Sequence, residues 1–366
     1  MSDYRTGFTT GTCASAAAKA ATLILLNGTR LNSVAVSLPH GSIVSLPIAM
    51  IGTERDAGWA YVRKDAGDDP DVTHGCLITA SVRWSNNTEI TIAAGEGVGI
   101  VTKPGLAAPP GNPAINPIPR CMIIEAIRQI IDRGVEVTIS IPNGEKLAKK
   151  TYNPKLGIEG GLSILGTSGI VRPFSHQALR DALLCTLNVA VAANVRRPIF
   201  VPGRIGGKAA MRMFEIDAEH VIEVSNEWGF MLDSATACGF ESVLVVGHPG
   251  KLAKICAGSW DTHSSKSASA VPTVLAMAEK VIGHAPSGSL TVEGVFRALT
   301  PKDRTRLAQY VAADIRRKIS ERVSHRFYVA VILVDLNGTL LGYDGDVAIW
   351  GRTPLSVLPE SHHLGI

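Results

Sequence analysis

Aromatic side chains are scarce in this 366-residue chain, where Trp, Tyr and Phe together make up 5%. That argues against a nucleic-acid surface built on base stacking. Long apolar runs are missing too: no stretch of about 18 uncharged apolar residues occurs, so no membrane span is predicted. The run Ala14 to Leu26 is broken by Lys19 and follows a Thr/Gly loop, not the basic leader of a secretory signal. The cysteines (Cys13, Cys76, Cys121, Cys185, Cys238, Cys256) are scattered with no CxxC spacing. A zinc ribbon or dithiol redox site is therefore not expected, nor is a disulfide framework in so long a chain. No run of five or six basic residues appears, and the net charge is only +4. That excess suits an acidic small molecule better than DNA. Repeats and low-complexity tracts are lacking as well. The expectation is a soluble cytoplasmic protein with no nucleic-acid or membrane partner, homo-oligomerisation being left open.

What the chain does hold is apolar and small residues: 46% hydrophobic, with 36 glycines. At this length two domains are expected. Over 1–158 the pattern is short strands and turns. Predicted strands 33–38 and 43–48 flank Pro39-His40-Gly41, and others cover 59–63, 77–84 and 89–93, with Asn86-Asn87 as the turn between the last two. A Pro/Gly-rich loop at 103–119 precedes a predicted helix at 121–132. Segments 135–141 and 146–150 flank Pro142-Asn143-Gly144 as another hairpin. This reads as an α+β N-terminal domain with Thr/Gly and Asp-rich loops. Over 159–366 the rhythm becomes strand, glycine turn, helix. A helix is predicted at 175–193, strands at 199–201, 221–224 and 242–246, a charged helix near 302–323 and a strand at 327–334. Such alternation predicts an α/β second domain with parallel strands. Ligands of such sheets sit beyond the carboxyl ends of the strands, which puts Gly166–Gly169, Ser225-Asn226 and Gly247–Lys251 on one candidate rim.

Four segments carry candidate chemistry. In the first, Gly7, Thr9, Thr10, Gly11 and Thr12 run into an Ala-rich helix stopped by Asn27-Gly28. Thr10 or Thr12 is expected to N-cap it. The helix start offers amides and hydroxyls to an anion; the plainer alternative is a well-capped core helix, with Cys13 packed inside. Second, Lys64 to Gly75 packs Asp65, Asp68, Asp69 and Asp71 into seven residues. Such crowding calls for a metal, a sulfonium or ammonium cation, or ribose hydroxyls, unless the aspartates simply cap turn amides. Third, Gly95-Glu96-Gly97-Val98-Gly99 follows a strand, but no helix comes after it, only Lys103-Pro104-Gly105. A Rossmann-type methyltransferase fingerprint is therefore rejected, although close backbone approach to a ligand remains open. Fourth, Gly247-His248-Pro249-Gly250-Lys251 is too short for a P-loop, yet its amides, with Lys251 and Lys254, suit a carboxylate or phosphate. Thr262-His263-Ser264 adds a hydroxyl and an imidazole; taken singly, His248 and His263 are more often structural than catalytic.

Read in order, Gly-Phe-Thr-Thr-Gly-Thr-Cys, Lys-Asp-Ala-Gly-Asp-Asp-Pro-Asp-Val-Thr-His-Gly, Gly-Glu-Gly-Val-Gly, Ala114-Ile115-Asn116-Pro117, Thr151 to Ile158, Gly166 to Val171, Val224-Ser225-Asn226 and Val246 to Leu252 resemble the CbiD family of cobalt-precorrin-5B C1-methyltransferases. The resemblance covers residues 5 to about 264 well and is weak beyond Pro272. It implies methyl transfer from S-adenosylmethionine to C1 of a cobalt-containing tetrapyrrole, giving cobalt-precorrin-6A in the anaerobic branch of cobalamin biosynthesis. Cobalt then belongs to the substrate, with no protein-bound metal. The candidate roles on this chain are catalysis for Thr10, Asp68, His248 and His263. Donor binding falls to Thr9, Gly11, Thr12, Asp65, Asp69, Asp71, Gly95, Glu96 and Gly97. Corrinoid binding falls to Thr167, Ser168, Ser225, Asn226, Gly250, Lys251 and Thr262. One departure stands out. After Thr262-His263-Ser264 the family usually continues with an Ala-Asp-Ala-Arg-type run, and here Lys266-Ser267-Ala268-Ser269-Ala270 follows. That change motivates an alternative, a non-catalytic corrinoid-binding carrier.

Overall fold

A computed structural model describes residues 4–351. The chain divides into two compact units, one ending at Ala178 and one beginning at Leu179. The division lies later than the expected 158/159 boundary because the intervening residues pair with the first unit. Ile158-Glu159 run antiparallel to Ile100-Val101, and Ile170-Val171 antiparallel to Gly7-Phe8. Residues 352–366 of the expected second domain lie outside the described residues.

The first unit is built on helix α1 (Thr10–Asn27), ended by Gly28 in the left-handed conformation. Ala14, Ala16, Ala17, Ala18, Ala20 and Ala21 are all fully buried. Only small side chains allow a helix to be enclosed on nearly every side. A hairpin, β1 (Ser33–Ser37) and β2 (Ile43–Pro47), follows. The sheet holds β3 (Met50–Glu54), β4 (Ala57–Arg63), β5 (Leu77–Trp84), β6 (Ile90–Ala94) and β7 (Val135–Ser140) in the order β3-β4-β5-β7-β6. Strand β4 comes so close to α1 that a Cβ on Gly58 would lie 2.3 Å from the Ala21 carbonyl oxygen. Helix α2 (Pro117–Arg128) begins earlier than the expected residue 121, its prolines sitting in the first turn where a missing N–H costs nothing.

Asn86-Asn87 lie in a bend between β5 and β6, as expected, but the two strands are not neighbours: β6 lies parallel to β7, which separates them. One local expectation fails here. The segment after Pro142-Asn143-Gly144 is a short helix, Gly144–Ala148, not a strand. Glu145, Lys146, Leu147 and Ala148 are strong helix formers, and that preference outweighs the turn signal.

Helix α3 (His176–Ala192) leads into the second unit. There β8 (Ile199–Val201), β9 (Val221–Glu223), β10 (Ser242–Gly247), β11 (Tyr328–Val334) and β12 (Leu340–Asp344) form a sheet ordered β9-β8-β10-β11-β12. The first four strands are parallel and β12 is antiparallel. Every residue of β10 is buried, the mark of a parallel strand covered on both faces. Ile199, Val201, Leu244 and Val246 pack with α4 (Arg204–Phe214). Phe200, Val243 and Val245 pack on the other side with α5 (Trp228–Ala235), α6 (Pro249–Cys256), α7 (Val271–Ile282), α8 (Val292–Ala298) and α9 (Pro301–Arg322). The chain winds from β8 to β9 on one side, then returns to β10 on the other. At that switch the turns after β8 and β10 lead into helices on opposite faces of the sheet, the place where doubly wound sheets take ligands. The whole is thus a mixed α/β protein with parallel pairing in both units.

Candidate functional site

At the start of α1 the hydroxyls are turned inward. Thr9, not Thr10 or Thr12, is the N-cap: its Oγ1 accepts from the Thr12 amide at 3.2 Å. Thr12 Oγ1 donates to the Gly169 carbonyl at 2.7 Å. Thr10 Oγ1 accepts from the Leu165 amide at 2.8 Å and faces the Ser163 and Leu165 carbonyl oxygens, both at 3.2 Å. The Gly11 amide donates to Leu165, and a Cβ on Gly11 would meet Pro119 at 2.8 Å. All four residues are buried, and burial pushes the Cys13 thiol up to about 12. The amides and hydroxyls that suggested an anion site therefore latch segment 163–169 to the helix. Gly166–Gly169 accordingly belong to the first unit and are not a strand-end loop of the parallel sheet; Thr167 and Ser168 are exposed on that latch. Thr10→Val is expected to leave a partly buried Leu165 amide unpaired, costing about 1 kcal/mol. Differential scanning calorimetry checks this, and an unchanged melting temperature would contradict it.

The acidic loop is answered by the chain itself. Arg5 clamps Asp65 with its two terminal guanidinium nitrogens, and that pair of bonds, with the Gly67 amide, holds the Asp65 carboxyl down to about 2. Asp68 accepts from the Arg5 amide at 2.7 Å, and Asp69 from the Phe174 amide at 3.0 Å. Asp71 accepts from the Lys64 ammonium at 2.7 Å and from the amide and hydroxyl of Thr73. Burial alone would raise the Asp71 pKa; Lys64 and Thr73 outweigh it and bring it below the ordinary carboxylate value. In the glycine turn, a Cβ on Gly97 would lie 2.0 Å from the Ile141 carbonyl oxygen. The close approach permitted by Gly97 is thus to the chain's own backbone, and that by Gly95 to the Ser140 side chain, while Glu96 is exposed.

In the second unit the loops after β8, β9 and β10 meet at the carboxyl edge of the sheet. Glu223 sits in register with Val201, and Gly247 packs on Pro202 with room for no side chain, since a Cβ would lie 2.8 Å from the ring. His248 caps α6: its Nδ1 accepts from the Gly250 amide at 3.0 Å, so the proton lies on Nε2 and is donated to Glu293 at 2.9 Å. Both ring nitrogens are thereby committed to holding the loop. Lys251 is exposed; partial desolvation lowers its pKa, against the pull of the Glu223 charge. Lys254 is buried and donates to the Thr262 carbonyl at 3.0 Å and Ser267 Oγ at 2.9 Å. It is therefore a strut between segments, not a ligand group. The Asn226 carbonyl accepts from the Thr262 amide, and Asn226 Oδ1 from the Thr262 hydroxyl at 3.3 Å. Ser225 holds a φ of +55°, an unusual conformation for a residue with a side chain, of the kind that gathers at ligand sites. His263 is exposed and bonded to Ser265 Oγ at 2.7 Å. In the departing segment, Lys266 pairs with Asp261 at 3.2 Å.

Sequence reasoning missed the turn after β8, Pro202-Gly203-Arg204-Ile205-Gly206-Gly207. Its signal was a short apolar strand running straight into a glycine turn and then a helix. A cavity of about 260 Å³ lies at the other end of this sheet, lined by Arg196, Arg197, His220 and Trp350 among others. None of the expected site residues lines it.

A doubly wound parallel sheet whose carboxyl edge gathers glycine turns, a lysine and a carboxylate defines the class of the second unit, an α/β fold whose ligands, where it has them, lie at that edge. Within that class the chain belongs to the CbiD family. Residues 1–173 match the family model CbiD, and residues 261–345 match CbiD, C-terminal domain. A cobalt-precorrin-5B C(1)-methyltransferase from Syntrophotalea carbinolica is 49% identical over 96% of this chain and 100% of its own length. Another of that name from Methanocaldococcus jannaschii is 42% identical over 92% of this chain and 95% of its own. The crystal structure of a cobalamin biosynthesis protein (cbiD) from Archaeoglobus fulgidus is 34% identical, with a TM-score of 0.39 over 71% of this chain and 82% of that one. Similarity thus continues well past Pro272, where the quoted motifs thin out.

Proposed function

We propose that this chain is a cytoplasmic enzyme that methylates C1 of cobalt-precorrin-5B with S-adenosylmethionine, giving cobalt-precorrin-6A in cobalamin biosynthesis. The observation that carries the reading is near-half identity across the full length of a relative bearing that activity's name. Among the described residues no helix is long and apolar enough to cross a membrane, in keeping with a small-molecule enzyme. The glycine turn at 95–99 feeds no helix, so donor binding of the Rossmann type is not assigned to the first unit.

S-adenosylmethionine supplies a methyl group already activated on a sulfonium. What falls to the protein is alignment and exclusion of water, which agrees with both nitrogens of His248 being spent on structure. Lys251, at the start of α6, stands at the carboxyl edge and suits one of the substrate's carboxylates. Asn226 and Thr262 brace the neighbouring loop, and Glu293 fixes the His248 tautomer that holds Gly250 in place. Asp65, Asp68, Asp69 and Asp71 are engaged by Arg5, Lys64, Thr73 and backbone amides. They therefore do not offer the methyl donor a set of waiting carboxylates, and we read that loop, with the start of α1, as scaffold. The cobalt ion is part of the substrate, and no resident metal is called for. Purified protein incubated with the pigment and donor tests the reading by mass analysis. Binding without methylation would favour the carrier.

A further inference from the structure

Resting on the methyltransferase reading, we infer that the donor's adenosyl group binds at the switch point of the second unit, with Glu223 accepting from its ribose hydroxyls. Three observations converge there. The first is topological. The β8-turn-α4-β9 run is a strand, a glycine turn, a helix and a second parallel strand beside the first. The chain then crosses to β10 on the other side of β8. Nucleoside-containing ligands of doubly wound sheets lie over that crossing.

The second is the carboxylate. Glu223 is the last residue of β9, in register with the last residue of β8, and follows Gly203 by about 20 residues, the separation at which an acidic side chain meets a ribose in such units. An ionised carboxylate is an acceptor only, and a vicinal diol offers two donors side by side.

The third is space. A Cβ on Gly203 would sit 3.7 Å from Glu223 Oε1, so any side chain at 203 would fill the gap between turn and carboxylate. A Cβ on Gly206 would lie 2.3 Å from the Val246 carbonyl oxygen, so only glycine lets α4 settle onto β10 and keep the turn low. A Cβ on Gly247 would strike Pro202 on the other wall. The turn at Gly95 has none of this: no helix directly follows it, and the space beside Gly95 and Gly97 is taken by Ser140 and Ile141.

The test is isothermal titration calorimetry on the full chain with S-adenosylhomocysteine, adenosine and 2′-deoxyadenosine. Wild type is expected to bind adenosine at least tenfold more tightly than 2′-deoxyadenosine. Glu223→Gln is expected to weaken S-adenosylhomocysteine by about tenfold to a hundredfold, the loss of a charged hydrogen bond, and to stop distinguishing the two nucleosides. Equal affinity of wild type for both nucleosides overturns the inference and needs no variant to fold. So does a Glu223→Gln protein that binds S-adenosylhomocysteine within twofold of wild type. A loss confined to Asp69→Asn would move the donor to the acidic loop and overturn it as well. If wild type binds none of the three ligands, the methyltransferase reading fails and this inference with it. If wild type binds S-adenosylhomocysteine but Glu223 is indifferent, only the inference fails.

Discussion

Replacing Lys64 by alanine is expected to lower the melting temperature by about 6–12 °C. Lys64 is 2% exposed, and its ammonium meets Asp71 at 2.7 Å. Asp71 is itself only partly accessible, with its other contacts made to Thr73. Removing one partner of a buried pair strands the other charge away from water, at a cost of about 3 kcal/mol or somewhat more. For a unit of this size each kcal/mol shifts the midpoint by about 2–4 °C. The pH dependence has a definite sign. The folded-state pKa of Asp71 is depressed, so its contribution is present above the ordinary carboxylate value near 4 and is lost as pH falls below it. The gap between wild type and Lys64→Ala is therefore full at neutral pH and closes in acid. Thermal melts from neutral to acidic pH check this. A variant melting within a degree or two of wild type would contradict the scaffold reading of the loop.

That reading also marks where sequence ceases to be legible. The crowding of Asp65, Asp68, Asp69 and Asp71 showed that positive or hydrogen-bonding partners were needed, but not that Arg5 and the Phe174 amide supply two of them from far along the chain. The same holds for Thr10, whose partner, Leu165, lies in a segment with no local connection to it. Local pattern did reach α1 with its glycine stop, the parallel strands of the second unit and the long helix α9, because each rests on periodicity, apolar runs or caps within a dozen residues. It did not reach the parallel partnership of β6 with β7, which is non-local. It also passed over α4, because the glycines of Arg204-Ile205-Gly206-Gly207 suppress a helical signal at the spot where the fold needs close packing.

The second large effect is expected at Lys251. Alanine there should raise the dissociation constant for the corrinoid by about one to two orders of magnitude, as one charged hydrogen bond is worth roughly 1.5–3 kcal/mol. Stability should change little, because Lys251 is exposed and its neighbour Lys254, not Lys251, ties the helix to Thr262 and Ser267. The pH profile adds a second readout. Only the protonated ammonium holds a carboxylate, and the Lys251 pKa is lowered. Wild-type pigment affinity should therefore fall at a lower pH than an ordinary lysine near 10.4 would dictate, and the alanine variant should lack that step. Pigment titrations followed by absorbance measure both. An unchanged affinity in Lys251→Ala would remove this residue from the site.

Catalytic methyl transfer by this chain can be measured directly. The purified chain is incubated with cobalt-precorrin-5B and S-adenosylmethionine carrying an isotopically labelled methyl group, and the pigment is recovered and weighed by mass spectrometry. The predicted result is a pigment heavier by one labelled methyl, formed in many turnovers per protein, with S-adenosylhomocysteine released in equal amount. A pigment that binds the protein and returns with its mass unchanged would contradict the claim and leave a corrinoid carrier.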